Sequence, residues 1–214
     1  MRLLHLGCSW SEINNWRRNH SSPVVEVIKT LNDTYNKKIE LYSASTGGSS
    51  LDMSLDLLLQ VLNLDMKFDA VIFQVTAGNR GFMRNCSFVP LTPDRFKPHN
   101  TIHNENVLIL EDYIYENYNW VTPSNFCMGD PTKVDNTFIN YSKLKFGLAR
   151  EFNIEYLGYI LTIKKILNKF KIPYIIYGHT LDSQIWSDDY IKNLVREELD
   201  FVAEERIELN NYTI

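Results

Sequence analysis

Short apolar runs alternate along the chain with longer stretches at helical spacing. Arg2 to Leu6 predicts a buried opening strand, closed by a turn at Gly7. Val24, Val27, Ile28 and Leu31 repeat at helical spacing behind Ser21-Ser22-Pro23, which supplies an N-cap and a first-turn proline, so Val24 to Leu31 predicts the first helix. Lys38 to Tyr42 predicts a short second strand, and Ser45 to Ser50, with two adjacent glycines, predicts the loop after it. Leu51 to Leu64 predicts a second helix through Leu55, Leu58, Leu59 and Leu62. Asp69 to Val75 (DAVIFQV) is a near-continuous apolar run, as expected of a third strand covered on both faces. Tyr141 to Phe170 turns helical again, with Ile154, Leu157, Ile160, Leu161 and Leu167 on its apolar face, and Ile172 to Tyr177 (IPYIIY) predicts a fourth strand. Trp186 to Glu205 predicts a final acidic helix, followed by a frayed end or short edge strand over Arg206 to Ile214. Gly81 to Asn140 is rich in Asn, Pro and aromatics without a period, and predicts an irregular insertion or lid with a short extra strand at Val107 to Leu110. No internal repeat is visible.

Strands separated by helix-length segments predict right-handed βαβ units, hence an α/β fold with a parallel sheet of four to five strands. In such sheets ligands gather beyond the carboxyl ends of the strands, so each strand-to-helix loop is a candidate site. The length of 214 residues predicts one domain over 1–214, with the insertion at about 81–140. A hydrophobic fraction of 44% with 22% charged residues predicts a folding chain and argues against a disordered tail. The net charge of -4 offers no basic face for a phosphate backbone, so no nucleic-acid partner is expected. No apolar run approaches the ~20 residues of a membrane span, and the opening run is too short for a signal peptide. The expectation is a protein that is cytoplasmic where it is synthesised. Cys8, Cys86 and Cys127 are odd in number and lack CxxC spacing, which predicts reduced thiols.

The chemistry-bearing residues fall in the loops. The first strand ends in Gly7-Cys8-Ser9-Trp10-Ser11, which places a hydroxyl at the sheet's carboxyl edge, where a helix N-terminus leaves backbone N–H groups free to bind an anion. Ser9 is then a candidate nucleophile, although a serine there also suits a turn cap. The second strand ends in Ser45-Thr46-Gly47-Gly48-Ser49-Ser50, a small-residue loop that a ligand can approach closely. The third ends in Thr76-Ala77-Gly78-Asn79-Arg80, which adds an amide and a guanidinium. Arg80 and Arg84 are either a clamp for an acidic substrate group or simply solvated. Tyr113, Tyr115, Tyr118 and Trp120 either stack on a sugar or form the core of their own segment. Asp65, Asp69, Asp188 and Asp189 lack partners at metal-ligand spacing, and Gly47-Gly48 lacks both the GxGxxG and GKS patterns, so neither a metal nor a nucleotide cofactor is expected.

A strand followed by GxSxS, then a Gly/Ser loop one helix and one strand later, then a strand with Gln74 and Asn79 resembles the SGNH or GDSL hydrolases, particularly the short, divergent phage and bacterial members that begin LGCSW. The likeness covers residues 1 to about 80. It implies a three-layer α/β/α, flavodoxin-like fold and a serine esterase or deacetylase acting on a small acyl ester, an acetylated sugar among the candidates. It makes Ser9 the nucleophile and one oxyanion donor through its own N–H, Gly47 a second donor through its N–H, and Asn79 a third through its side-chain amide. The chain departs from the family in three places. Cys8 stands where the first block has aspartate, the third block is offset so that Gly78 falls at the asparagine position when no gap is allowed, and no DxxH occurs.

The base must therefore come from elsewhere, because a serine without one is a weak nucleophile at neutral pH. His5 lies inside the first strand and reads as a core residue, and His20, His99 and His103 sit in loop-like segments. His179 follows the fourth strand directly and shares the sheet edge with Ser9, with Asp182 three residues on. This predicts His179 as general base and Asp182 as its orienting carboxylate. A histidine that lines the site or caps a turn is the alternative. Two further readings stay open: a non-catalytic binding or structural module, such as a virion protein contacting other virion subunits, and a truncated open reading frame.

Overall fold

The computed structural model describes residues 1–7, 23–36, 38–46, 49–75, 81–85, 87–98, 106–121, 127–128, 140 and 149–178. These form a mixed α/β structure built on a six-stranded, mostly parallel sheet. Its strands are β1 (Arg2–Gly7), β2 (Glu40–Ser45), β3 (Ala70–Val75), β5 (Lys97–Pro98), β6 (Val107–Ile109) and β9 (Tyr174–Gly178), in the order β5-β6-β2-β1-β3-β9. All neighbours run parallel except β5, which pairs antiparallel with β6 through Lys97↔Ile109 and Pro98↔Leu108. Six strands replace the four to five expected. The additional strand, β5, has two residues and carries a proline at the sheet edge, and no periodicity can announce so short an element.

Side-chain alternation sends neighbouring residues to opposite faces of the sheet. On one face Leu3 and Leu41 join Val24, Val25 and Ile28 of α1 (Pro23–Tyr35) in a cluster with Ile39 and Val107. On the other, Leu4, Leu6, Tyr42, Ala44, Val71, Phe73 and Val75 join α2 (Leu51–Leu62) and a long helix over Ala149–Lys169. Helices thus cover both faces, as a parallel sheet with near-continuous apolar strands requires. No helix among the described residues is long and apolar enough to cross a membrane.

The caps explain where the helices start and stop. Ser50, with extended backbone, accepts a hydrogen bond from the Met53 N–H at 3.4 Å, and the Asp52 carboxylate accepts from the same N–H at 2.9 Å, placing negative charge at the α2 N-terminus. The long helix closes in a Schellman turn. Ile172 N–H donates to the Leu167 carbonyl at 3.0 Å and Lys171 N–H to the Asn168 carbonyl at 3.0 Å, with Lys171 at φ 56°. That turn consumes Ile172 and Pro173, so β9 begins at Tyr174, two residues later than the apolar run suggests.

Residues 81–85, 87–98 and 106–121 form short elements where the sequence shows no period. β4 (Gly81–Arg84), β7 (Tyr118–Val121) and β8 (Cys127–Met128) form a second, antiparallel sheet in the order β4-β7-β8. A one-turn 3-10 segment spans Pro93–Arg95, and α3 (Glu111–Asn117) links β6 directly to β7. Numbering helices in chain order, the long helix over Ala149–Lys169 is α4. Tyr113 and Tyr118 are fully buried and belong to the same cluster as Leu57, Phe73 and Leu157. The Tyr118 ring meets Phe82 at 5.5 Å, Phe88 at 6.1 Å and Tyr113 at 6.2 Å. These two tyrosines are core rather than a sugar platform.

A polar cluster fastens this segment to α2. Asp56 and Gln60, one turn apart, face it together. Asp56 Oδ2 accepts from the Tyr118 hydroxyl at 2.7 Å, from Gln60 Nε2 at 3.1 Å and from Arg84 Nε at 3.1 Å. A second guanidinium nitrogen of Arg84 pairs with Asp56 Oδ1. Gln60 Oε1 lies 2.7 Å from the Tyr113 hydroxyl and accepts from the Leu91 N–H at 3.3 Å. Burial, reinforced by the Asp56 charge, raises both phenols above their ordinary pKa, Tyr113 to about 12, so both remain neutral donors.

Candidate functional site

β1, β2, β3 and β9 lie side by side and end nearly level. Gly7 is paired in register with Ser45, Leu6 with Phe73, and Val75 with Gly178. The chain leaves β1, returns on one side as β2, and then crosses to the other side as β3. The strand order therefore reverses at β1, which makes the crevice beyond the carboxyl ends of β1 and β3 a topological switch point. Segments leaving that edge are the ones singled out from the sequence.

Ser9, Gly47, Asn79, Arg80, His179 and Asp182 themselves lie outside the described residues. Their anchors are described. Gly7 stands two residues before Ser9, Thr46 one before Gly47, Val75 four before Asn79, and Gly178 one before His179. Adjacent strands sit about 4.8 Å apart, so the ends of β1 and β9, with β3 between them, are separated by roughly 10 Å. A hydrogen bond between Ser9 and His179 needs the two loops to converge over β3.

No family model, curated protein or solved structure matches the chain. The site is therefore built from its own residues alone.

The β2–α2 loop is tied down on both sides. Ser49 Oγ donates to the Gly7 carbonyl at 2.6 Å, joining this loop to the last residue of β1, and Ser54 Oγ donates to the Ser50 carbonyl at 3.1 Å. Ser49, Ser50 and Ser54 are all buried. Part of the small-residue character of Ser45 to Ser50 thus has a structural role. Arg84 is not simply solvated: it is paired with Asp56, and its guanidinium carbon lies 4.2 Å from the Phe88 ring centroid.

A second feature reaches the same edge from inside the sheet. His5 and Ser43 are register partners on the α1 face, and both are buried. His5 Nδ1 lies 3.1 Å from Ser43 Oγ, and Ser43 Oγ lies 2.8 Å from Ser45 Oγ. His5 Nε2 has no partner among the described residues. The core reading of His5 holds, but its serine partners were not foreseen: the predicted strand ends at Tyr42 and the predicted loop starts at Ser45, whereas β2 runs to Ser45.

Burial lowers the His5 pKa from its ordinary 6.5 to about 3, so the imidazole is neutral in the fold. Between those two values the unfolded chain binds a proton that the folded chain refuses, so stability falls as pH drops through that window. The slope is on the order of 1 kcal/mol per pH unit. Urea midpoints measured from pH 7 to pH 4 are expected to decline in the wild type and to decline less in a His5→Leu variant. Identical slopes in the two proteins would contradict this assignment.

Proposed function

We propose that the chain is an SGNH-type serine esterase or deacetylase of flavodoxin-like, three-layer architecture, acting on a small acyl ester such as an acetylated sugar. The observation that carries the reading is the arrangement β2-β1-β3-β9, in which the loops after four adjacent parallel strands, each holding at least one expected site residue, leave the same edge at the switch point. The LGCSW start, the Gly47 loop and Asn79 supply the chemistry those loops would bring together.

In this reading Ser9 Oγ attacks the acyl carbon while His179 takes its proton, and Asp182 holds the imidazole in the productive orientation. The N–H groups of Ser9 and Gly47 and the Asn79 amide stabilise the tetrahedral oxyanion, each such donor being worth about 3 kcal/mol in acyl transfer. Collapse expels the alcohol, which receives the proton from His179. Water then attacks the acyl-enzyme with His179 as base, releasing the carboxylic acid and free Ser9. All of these steps use protein side chains and water.

Cys8 in place of aspartate and the missing DxxH favour a second reading, a non-catalytic binding module of the same fold, for instance within a virion. Turnover of 4-nitrophenyl acetate separates the two: Ser9-dependent hydrolysis supports the enzyme, and a rate no greater than that of Ser9→Ala supports the module.

A further inference from the structure

The α1 face of β1 and β2 changes character partway along. Its lower rung, Leu3 beside Leu41, is aliphatic and packs against α1. The next rung is His5 beside Ser43, and Ser45 follows at the last rung, opposite Gly7. Three polar side chains, exposed by 0%, 2% and 7%, thus run in one hydrogen-bonded file where aliphatic side chains would pack. Such a file is unfavourable for stability alone, since burying the His5 ring leaves Nε2 without a partner among the described residues, and an unmade buried hydrogen bond is destabilising.

The position of the file is informative. It ends at the Gly7–Ser45 rung, and from that rung the chain continues on one strand to Cys8-Ser9 and on the other to Thr46-Gly47. On the loop side, Ser49 Oγ grips the Gly7 carbonyl at 2.6 Å. The ends of β1 and β2 are therefore tied together from below by the cross-strand His5–Ser43 contact, with Ser45 beside Ser43 on β2, and from above by Ser49. The oxyanion donors of the proposed reaction need fixed separation, because donors are effective only where the oxyanion develops.

We propose that His5 is a positioning residue, which acts through Ser43 to fix the spacing between the ends of β1 and β2, from which the chain continues to Ser9 and to Gly47. The role rests on the esterase reading. His5 contributes as a rigid neutral ring, and burial keeps it so throughout the neutral range.

The test compares wild type, His5→Leu and His5→Asn in 4-nitrophenyl acetate turnover and thermal melting. Leucine fills the site without polar atoms, and asparagine returns a hydrogen-bonding atom near the Nδ1 position. His5→Leu is expected to melt at or above the wild-type temperature at pH 7, with kcat lowered about 10–100-fold and KM unchanged. His5→Asn is expected to regain most of that kcat. Wild-type kcat in His5→Leu overturns the role while leaving the esterase reading intact, as does a loss of kcat matched by a fall in melting temperature and not rescued by asparagine. Should His5→Leu not fold, Ser43→Ala breaks the cross-strand link to His5 and is read by the same criteria. A wild type without ester turnover overturns the esterase reading and this role with it.

Discussion

Replacing His179 with alanine is expected to lower kcat for small acyl esters by about ten-thousand-fold, with KM and melting temperature close to wild type. The size follows from what the base does. Without proton transfer the Ser9 hydroxyl is a weak nucleophile at neutral pH, and loss of one member of such a catalytic group removes most of what the group achieves together. His179 directly follows Gly178, the last residue of β9, whose register partner on β3 is Val75. β9 thus ends on the same sheet edge as β1, two strands away. Asp182→Ala is expected to lower kcat less, because it removes orientation of the imidazole rather than the imidazole itself. Steady-state turnover of both variants at pH 7 checks this, and an unchanged kcat in His179→Ala would remove it as the base.

The largest loss of stability is expected from Asp56→Ala, about 2–4 kcal/mol, read as a lower urea midpoint at pH 7. Three donors converge on its carboxylate: the Tyr118 hydroxyl, the Gln60 amide and the Arg84 guanidinium. Removing it leaves the buried Tyr118 hydroxyl and the Gln60 amide to satisfy one another. Much of the Arg84 contribution is screened by water, since 45% of its side chain is exposed, so Asp56→Asn is expected to cost only about 1 kcal/mol. An Asp56→Ala midpoint equal to wild type would show that β4, α3 and β7 are held by their apolar contacts alone.

That cluster illustrates what the sequence conceals. Asp56 and Gln60 sit on a helix that the leucine pattern predicts well, yet their partners Arg84, Tyr113 and Tyr118 come from a stretch with no period. Strands of two to four residues do not leave a readable alternation, and β5 and β8 have two residues each. β1, α2 and β3 are legible because burial forces a continuous or helical apolar pattern on them. α1 runs on to Tyr35, four residues past its last predicted apolar position, because Asn32-Asp33-Thr34 carries no apolar mark. There Asn32 instead reaches across to the backbone of Ile39, accepting from its N–H at 2.8 Å. β2 shifts towards its carboxyl end for a related reason. Its last residues, Ser43, Ala44 and Ser45, have loop composition, and the two serines fit a buried strand because Ser43 is hydrogen-bonded to His5 and Ser45 to Ser43.

The candidate site divides in the same way. Short glycine and serine motifs mark which loops matter, and the strand order shows those loops leaving one edge. The proton-transfer half carries no such motif, because His179 and Asp182 are picked out by their position after β9 alone.

The central claim is that Ser9 is an activated nucleophile, and a fluorophosphonate probe reads that property directly. Incubated with the wild type between pH 6 and pH 9 and followed by peptide mass spectrometry, the probe is expected to form one covalent adduct, on Ser9, that is absent from Ser9→Ala. An unlabelled wild type across that range, or equal labelling of Ser9→Ala, would contradict the claim.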